Sequence, residues 1–171
     1  MSTEPAYAPD ADLLRHAIGH FATGVTVVTS VAPDGEPVGT TATAVASLSL
    51  EPALVLVCLD WRSATLRAIL GHRAFAVNVL AHGQSALSAN FARSGDAASW
   101  AGVAHDRWPS RNPRLDWALA GLDCTLDSIV TGGDHEIVIG RIVGGEIETD
   151  RAPLGYWRGG YHRSAPVGGR E

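Results

Sequence analysis

A run of small and hydroxyl-bearing residues at positions 39–49 is the first segment that could bind a ligand; it reads Gly-Thr-Thr-Ala-Thr-Ala-Val-Ala-Ser-Leu-Ser. Small side chains let a flat molecule approach the backbone, and hydroxyls together with backbone N–H groups can satisfy the polar atoms of a heterocycle. A threonine- and serine-rich edge strand followed by a loop would have the same composition. The segment alone therefore leaves a binding site and a structural edge both open.

A second polar cluster lies at residues 60–65, where an arginine and two hydroxyls lie at the start of a predicted helix that Ser63 caps. The first amides of a helix have no carbonyl partner, its dipole favours an anion, and a guanidinium binds phosphate oxygens well. The cluster therefore suits a phosphate group. An ordinary helix cap with solvent-facing charges fits the same spacing equally well.

Two further clusters carry groups used in recognition or catalysis. Residues 132–136 read Gly-Gly-Asp-His-Glu, in which His135 supplies an imidazole that the flanking acids could orient. A histidine that only forms part of a turn beside acidic residues, with no catalytic role, would give the same sequence pattern. Residues 156–162 place aromatic side chains next to Arg158, an arrangement that can stack on a nucleotide or pack a subunit interface.

The sequence excludes several kinds of chemistry. All 13 basic residues other than histidine are arginines, so a lysine Schiff base, lysine-held pyridoxal phosphate and the lysine-containing phosphate loop are all impossible. There is no Gly-x-Gly-x-x-Gly fingerprint of a dinucleotide-binding Rossmann domain and no Gly-x-Ser-x-Gly motif of a hydrolase. Neither cysteine has a histidine near it in sequence.

Metal binding and cysteine chemistry are not expected either. His16 and His20 have a spacing that can bind zinc on a helix, but no glutamate lies between them and no third ligand is evident. Cys58 and Cys124 lie in apolar runs and are interpreted as small core residues.

Composition indicates a single globular domain. The chain has 171 residues, of which 46% are hydrophobic, and a formal net charge of −5, which argues against a nucleic-acid-binding protein. The longest strongly apolar run, residues 53–59, is too short to cross a membrane. The acidic N-terminal segment lacks the basic start of a secretory leader, so a cytoplasmic protein is expected.

The predicted elements are mostly strands, connected by short helices. The first helix is expected to start at Asp10 or Asp12, with Leu14, Ala17, Ile18 and Phe21 on one apolar face. The other elements are helices at 63–70 and 84–91, strands at 25–30, 38–44, 53–59, 75–80, 124–130, 136–147 and 154–157, and a long ordered loop at 93–113.

Two of these elements carry specific expectations about burial. Strand 53–59 is apolar at every position, which predicts burial on both faces. On helix 63–70, Leu66, Ile69 and Leu70 are expected to face inward. The predicted architecture is a small β-barrel with peripheral helices, in one domain at 13–163 between a flexible N-terminal tail (1–12) and a C-terminal tail (164–171).

In their order along the chain, these segments resemble the short-chain flavin reductase family, the small reductase components of two-component flavin monooxygenases. The resemblance covers residues 13–162. It rests on Phe-Ala-Thr-Gly-Val-Thr-Val-Val-Thr at 21–29, Ser-Leu-Ser-Leu-Glu-Pro at 47–52, Phe-Ala-Val-Asn-Val-Leu at 75–80, Gly-Asp-His at 133–135 and Leu-Gly-Tyr-Trp-Arg-Gly-Gly-Tyr at 154–161. The implied fold is the FMN-binding split β-barrel, mainly β with peripheral helices and Greek-key-like.

The resemblance implies a homodimer that uses NADH or NADPH to reduce FMN or FAD and supplies the reduced flavin, by diffusion, to a monooxygenase. The implied flavin contacts are Thr41, Ala42, Thr43, Ala44, Ser47, Leu48 and Ser49 along the ring and ribityl chain, and Asp60, Arg62, Ser63 and Thr65 at the phosphate, with Ser88 and Phe91 nearby. His135 is the implied catalytic residue, placing the nicotinamide over the flavin ring. Tyr156, Trp157, Arg158 and Gly159 complete that pocket.

One departure from the family pattern concerns the flavin contacts. The family commonly has Thr-Ala-Asn-Ser-Phe where this chain has Thr-Ala-Thr-Ala-Val at 41–45. Some hydrogen bonds to the flavin are therefore expected from Thr43 or the backbone. The alternative functions are a split-barrel protein that keeps its flavin as an electron carrier or oxidase, and a flavin-binding module without reductase activity.

Overall fold

The computed structural model describes residues 10–93, 97–148 and 150–164. Most of them are in strands, and three helices lie at the periphery. The predicted C-terminal tail, apart from Ser164, and the N-terminal tail before residue 10 lie outside the described residues. Ala11 and Asp12, assigned above to the tail, are instead the first residues of helix α1. The expected mainly β class with peripheral helices is confirmed.

The elements follow one another along the described chain in this order: α1 Ala11–Gly19, β1 Thr23–Gly24, β2 Thr26–Val31, β3 Pro37–Ala42, β4 Val45–Leu50, β5 Ala53–Asp60, α2 Ala64–His72, β6 Ala74–Val79, α3 Ser85–Phe91, a short 3₁₀ turn Ala97–Trp100, β7 His105–Arg107, β8 Pro113–Leu115, β9 Ala120–Gly132, β10 His135–Ile147, β11 Leu154–Trp157 and β12 Gly160–Arg163. No helix among them is long and apolar enough to cross a membrane.

Seven strands form one antiparallel sheet in the order β3-β2-β6-β9-β10-β5-β4. Its two edge strands, β3 and β4, are consecutive in the chain and are separated only by Thr43 and Ala44. A two-residue link between opposite edges requires the sheet to curl until those edges lie side by side. The smaller sheets are β1-β11-β12 and β7-β8.

The inside of the curled sheet holds the main core. Val28, Val57, Phe75 and Val138 are completely buried there. Gly140 of β10 lies directly against the Phe75 ring, and a Cβ on that glycine would lie within van der Waals overlap of the ring. A second core around Phe91 packs beneath α3.

The expected burial of strand 53–59 on both faces is wrong. In β5 the residues Val55, Val57 and Leu59 are buried, whereas Leu54, Leu56 and Cys58 are half-buried. The two faces differ because only the inner face of the curled sheet is covered by other described elements. Cys58 is therefore not a core residue, whereas Cys124 is one, and burial raises the pKa of its thiol to about 12.

The packing predicted for helices α1 and α2 is confirmed only in part. Asp10 caps α1 through its side chain, but Leu14, Ile18 and Phe21 are all more than half exposed. In α2, Leu66 and Ile69 are buried as expected, whereas Leu70 is 45% exposed and the inward orientation predicted for it is wrong.

Several strands lie where none was predicted. β4 occupies part of the hydroxyl-rich segment, β9 begins at Ala120 rather than at residue 124, β12 follows β11, and the predicted loop contains β7. Long-range hydrogen bonds order the region around β8. The Thr29 hydroxyl donates to the Pro113 carbonyl at 2.6 Å, and the Leu115 amide donates to the Asn78 side chain at 2.9 Å.

Candidate functional site

Three of the four polar clusters meet at one end of the curled sheet, namely those at 39–49, 60–65 and 132–136. β10 pairs antiparallel with β5, so that His135, its first residue, lies opposite Asp60, the last residue of β5. The two-residue turn that positions His135 contains Gly133 at φ +71°, a conformation that glycine adopts without strain. The link between β3 and β4 lies alongside, because the Cys58 amide donates to the Ala44 carbonyl at 3.0 Å.

A cleft of about 270 Å³, here called the threonine cleft, lies where these clusters meet. Its lining residues are Thr40, Thr41, Ala42, Thr43, Ala44, Cys58, Leu59, Asp60, Ser63 and His135. The floor consists of small side chains and hydroxyls, so a planar heterocycle can lie close to the backbone.

His135 is held by its neighbour. Its Nδ1 lies 2.7 Å from Asp134 Oδ1, and this hydrogen bond is the main reason that the pKa of the Asp134 carboxyl is lowered. When Nδ1–H donates to that carboxylate, Nε2 of the neutral ring is left as an acceptor. The His135 side chain is 46% exposed, so a bound ligand can reach it.

A second cleft of about 370 Å³, the arginine cleft, continues from the first and shares Thr40, Asp60 and Ser63 with it. Its lining residues are Thr40, Asp60, Arg62, Ser63, Ala64, Thr65, Arg67, Phe91, Ala92 and Arg93. Three guanidinium groups and one carboxylate give it an excess of positive charge, which suits an anionic ligand.

Asp60 fixes one of these guanidinium groups. Arg62 donates to the Asp60 carboxylate through Nε at 3.2 Å and Nη2 at 3.1 Å, and its backbone amide donates at 2.8 Å. The hydrogen bond from the Arg62 side chain is the main reason that the pKa of Asp60 is lowered to about 2. Asp60 is therefore ionised at neutral pH, and Arg62 has a defined orientation beside the cleft.

Thr65 provides an unsatisfied donor at the start of α2. The residue is only 1% exposed, and its Oγ1 is buried without a hydrogen-bond partner among the described residues. The neighbouring Ser63 hydroxyl, in contrast, caps the helix by accepting from the Leu66 amide at 3.4 Å. A buried hydroxyl without a partner is costly, and Thr65 lines the arginine cleft, so a ligand oxygen there would satisfy it.

A third, smaller cleft of about 160 Å³, the tyrosine cleft, shares Thr41 and Thr43 with the threonine cleft. Its lining residues are Val25, Thr41, Thr43, Ser88, Ala92, Tyr156 and Tyr161. Thr41 Oγ1 donates to the Ser88 carbonyl at 2.6 Å, and Ser88 Oγ lies 2.9 Å from Tyr161 Oη.

The fourth cleft, the apolar cleft, has about 550 Å³ and is covered by α1. Its lining residues are Leu14, Arg15, Ile18, Gly19, Phe21, Thr23, Thr43, Tyr156 and Gly159. Thr43 lines this cleft as well as the threonine and tyrosine clefts. The four clefts are therefore adjacent, with the apolar cleft at one end and the arginine cleft at the other, and together they are here called the trough.

The trough brings together most of the residues proposed from the sequence. Thr41, Ala42, Thr43, Ala44, Asp60, Arg62, Ser63, Thr65, Ser88, Phe91, His135, Tyr156 and Gly159 each line at least one of the four clefts. Five others line none of them: Ser47, Leu48 and Ser49 lie on the edge strand β4, and Arg158 stacks over Trp157 with its guanidinium carbon 5.3 Å from the ring centre.

Sequence reasoning missed several lining residues. Arg67 and Arg93 were not proposed, and Cys58 was interpreted as a core residue. Thr40 and Tyr161 lie in the proposed segments 39–49 and 156–162 but were not named as contact residues. Arg67 lies one helical turn after Ser63, a spacing that could have indicated it. Nothing local to Tyr161 pointed to Ser88, because the two residues are 73 positions apart.

Residues 18–165 match the family model described as the flavin reductase like domain. The chain belongs to the flavin reductase family. Among its relatives within this family, the reductase subunit HsaB of a flavin-dependent monooxygenase from Rhodococcus jostii is 41% identical over 91% of this chain and 79% of its own length. The reductase component of a flavin-dependent trigonelline monooxygenase from Acinetobacter baylyi is 41% identical over 89% of this chain.

This flavin reductase family member spans only 48% of the trigonelline monooxygenase reductase component. Among solved structures, the NADH:FAD oxidoreductase SgcE6 of Streptomyces globisporus is 32% identical, with a TM-score of 0.86 over 95% of this chain and 100% of that one. This similarity confirms the expected fold class, and the described strands form a curled sheet whose hydrogen bonding is open between β3 and β4.

Proposed function

We propose that this protein is an NAD(P)H:flavin oxidoreductase of the cytoplasm that reduces FMN or FAD by hydride transfer and supplies the reduced flavin to a monooxygenase. Membership of the flavin reductase family and the similarity to a reductase subunit of a flavin-dependent monooxygenase support the proposal. The observation that carries it is the trough, in which a floor of small and hydroxyl residues leads directly to a cationic cleft with an unsatisfied hydroxyl.

The residues of the trough fit a flavin nucleotide. The threonine cleft suits the isoalloxazine ring, with Thr43 in the place where the family commonly has asparagine. The arginine cleft suits the phosphate, which Thr65, the start of α2 and the guanidinium groups would hold. When bound, the flavin supplies a hydride acceptor at N5 and the nicotinamide a hydride donor at C4.

The protein's contribution is to bind and orient the two rings. His135 projects from the end of β10 beside the threonine cleft, and Tyr156 lies between the tyrosine and apolar clefts. We assign His135 to positioning the nicotinamide, since a direct hydride transfer between the two bound cofactors would need no protein acid or base. Holding the rings in a near-attack arrangement is then the main catalytic effect.

We also propose that the protein is a homodimer. The described monomer exposes large apolar side chains on β4 and β10, including Leu50 at 90% and Ile147 at 78%. Apolar surface of this kind is typical of a subunit interface. Light scattering at micromolar concentration is expected to give twice the mass of one chain, and the mass of a single chain would contradict the proposal.

The proposed activity is tested with purified protein and each combination of NADH or NADPH with FMN, FAD or riboflavin, by following the loss of reduced-nicotinamide absorbance in air. Turnover that depends on added flavin, together with release of flavin on gel filtration, supports the reductase. Flavin that stays bound through gel filtration favours an electron carrier or oxidase. Flavin binding without any turnover favours a binding module.

Replacing His135 with alanine is expected to lower kcat/KM for the nicotinamide about tenfold, the loss expected for one positioning hydrogen bond. Flavin affinity is expected to change less than about twofold, because the remaining trough is intact. Steady-state kinetics and a flavin titration measure the two effects separately. His82→Ala is the matched control, since His82 is exposed and lines none of the four clefts. Equal losses in both measurements would contradict the assignment.

A further inference from the structure

We propose that Tyr161 is a positioning residue, which holds the C-terminal hairpin over the trough through its hydrogen bond to Ser88. The hairpin consists of β11 and β12 and carries Tyr156, which lines two of the four clefts. The role assigned to Tyr161 rests on the proposed function, because the hairpin is taken to shape the binding site for the nicotinamide.

The rest of the fold holds this hairpin mainly through β11 and the turn after it. Leu154 is buried, its carbonyl accepts from the Val25 amide and its amide donates to the Leu80 carbonyl. The Arg158 amide donates to the Gly19 carbonyl at 2.9 Å.

The hairpin belongs to the three-stranded sheet β1-β11-β12, in which β12 is an edge strand. Its ladder to the rest of the chain is short, since β1 pairs with β11 only through Thr23 with Tyr156 and Gly24 with Gly155. These attachments are on β11 and the turn, so the Tyr161–Ser88 bond is what holds the edge strand β12 against α3.

Tyr161 makes that contact from the face that carries Tyr156. The two tyrosines are directly opposite each other in the β11–β12 register, and their rings pack edge to face with centres 5.4 Å apart. Side chains opposite each other in an antiparallel pair restrict each other's position. Fixing Tyr161 therefore also fixes Tyr156.

Ser88 is a rigid anchor for the tyrosine. It is completely buried in α3, its hydroxyl lies 2.9 Å from Tyr161 Oη, and its carbonyl accepts from Thr41 Oγ1 at 2.6 Å. Ser88 thus connects the hairpin on one side with the floor of the trough on the other. Without the tyrosine hydroxyl, the Ser88 hydroxyl would lose its described partner in a buried position, and β12 would lose its hydrogen bond to α3.

The effect of losing this bond should fall on nicotinamide binding. The bond to Thr41 does not involve Tyr161, so the floor that receives the flavin stays in place. Tyr156, which lines the tyrosine and apolar clefts, would lose its fixed neighbour. The Tyr161 hydroxyl is engaged by Ser88, so its role is exerted through the position of the hairpin.

Tyr161→Phe and Ser88→Ala, singly and together, test the proposal in the full-length protein. Each single variant is expected to raise KM for the nicotinamide about fivefold, as for the loss of one neutral hydrogen bond, and Tyr161→Phe is expected to keep kcat and the flavin Kd within about twofold of the parent. The double variant is expected to resemble the singles, because both remove the same bond. Ser128→Ala is the control, because it removes an exposed hydroxyl bonded to Asp127, away from the trough.

Hydrogen exchange gives a second readout that does not depend on turnover. Amides of β11 and β12 are expected to exchange faster in both single variants, with exchange in β9 and β10 unchanged. Multiplicative effects on KM in the double variant, equal losses of flavin and nicotinamide binding, or unchanged exchange in the hairpin would each overturn the role of Tyr161.

Absence of turnover in the parent protein would overturn the proposed function instead, and the exchange measurement would still decide whether the bond holds the hairpin. If Tyr161→Phe does not fold, hydrogen exchange in β11 and β12 of the Ser88→Ala variant decides whether the bond holds the hairpin.

Discussion

Replacing Thr65 with valine is expected to stabilise the unliganded protein and at the same time to weaken FMN binding. Valine has nearly the same shape as threonine but no hydroxyl, and the Thr65 hydroxyl is buried without a described partner. Removing such a group is expected to raise the free energy of unfolding by about 1 kcal/mol. Losing a hydrogen bond to a charged phosphate is expected to cost about 2 kcal/mol, or roughly 30-fold in Kd for FMN.

Two comparisons make this prediction specific. Riboflavin has no phosphate, so its affinity is expected to be the same in Thr65→Val and the parent. Thr29→Val makes the same substitution at a threonine that is also buried but whose hydroxyl donates to Pro113. That variant is expected to lose stability and to keep its FMN affinity. Thermal unfolding measures the two changes in stability, and flavin titrations measure the changes in FMN and riboflavin affinity. An equal loss of FMN and riboflavin affinity in Thr65→Val would refute the phosphate assignment.

Replacing Gly140 with alanine is expected to lower the free energy of unfolding by about 3 kcal/mol, at the upper end for overpacking a core. The added Cβ would overlap the Phe75 ring, reaching 2.7 Å from Cε1, and would lie 3.0 Å from Cys124 Cβ. Phe75 is completely buried, so its ring has no space into which to move. Denaturant unfolding monitored by circular dichroism measures the change.

Gly144→Ala is the control for this substitution on the same strand. A Cβ there would meet only Asp123 Cβ, at an ordinary 3.7 Å, so a loss well below that of Gly140→Ala is expected. Phe75→Leu combined with Gly140→Ala should recover part of the lost stability, because the smaller side chain leaves room for the methyl group. A Gly140→Ala protein as stable as the parent would show that the core is looser than its packing indicates.

Features with strong local signals could be predicted from the sequence. Ser63 caps α2 as its residue type suggested, and the β-branched run after Gly24 forms β2. Burial was harder to predict, because it depends on what covers each face: β5 is apolar throughout, yet it is fully buried only on the inner side of the sheet. The early start of β9 was missed, since Asp123 lies within the strand and is held there by Ser110 and Asn112 from outside it.

The candidate site was likewise predictable only where the signal is local in the sequence. Each cluster of chemically useful residues was visible in the sequence, but their meeting depends on strand register, as in the pairing of His135 with Asp60. The hydroxyl-rich segment at 39–49 shows most clearly that composition alone does not distinguish a binding segment from an edge strand. Its first half lines the threonine cleft, whereas its second half is the edge strand that the composition equally allowed. Only the position of the two-residue link between β3 and β4 separates the two halves.

That link also has a consequence for the order in which the chain assembles during synthesis. Until residue 120 has been made, the strands of the seven-stranded sheet can form only two separate ladders, β3-β2-β6 and β4-β5, because β9 and β10 are the strands that join them. The threonine cleft takes one wall from each ladder and His135 from the joining hairpin. A nascent chain therefore has no complete threonine cleft until this joining hairpin is inserted. Ligand binding can thus act only on chains that have finished folding, and before that step each half exposes unpaired apolar strand edges to which chaperones or other nascent chains can bind.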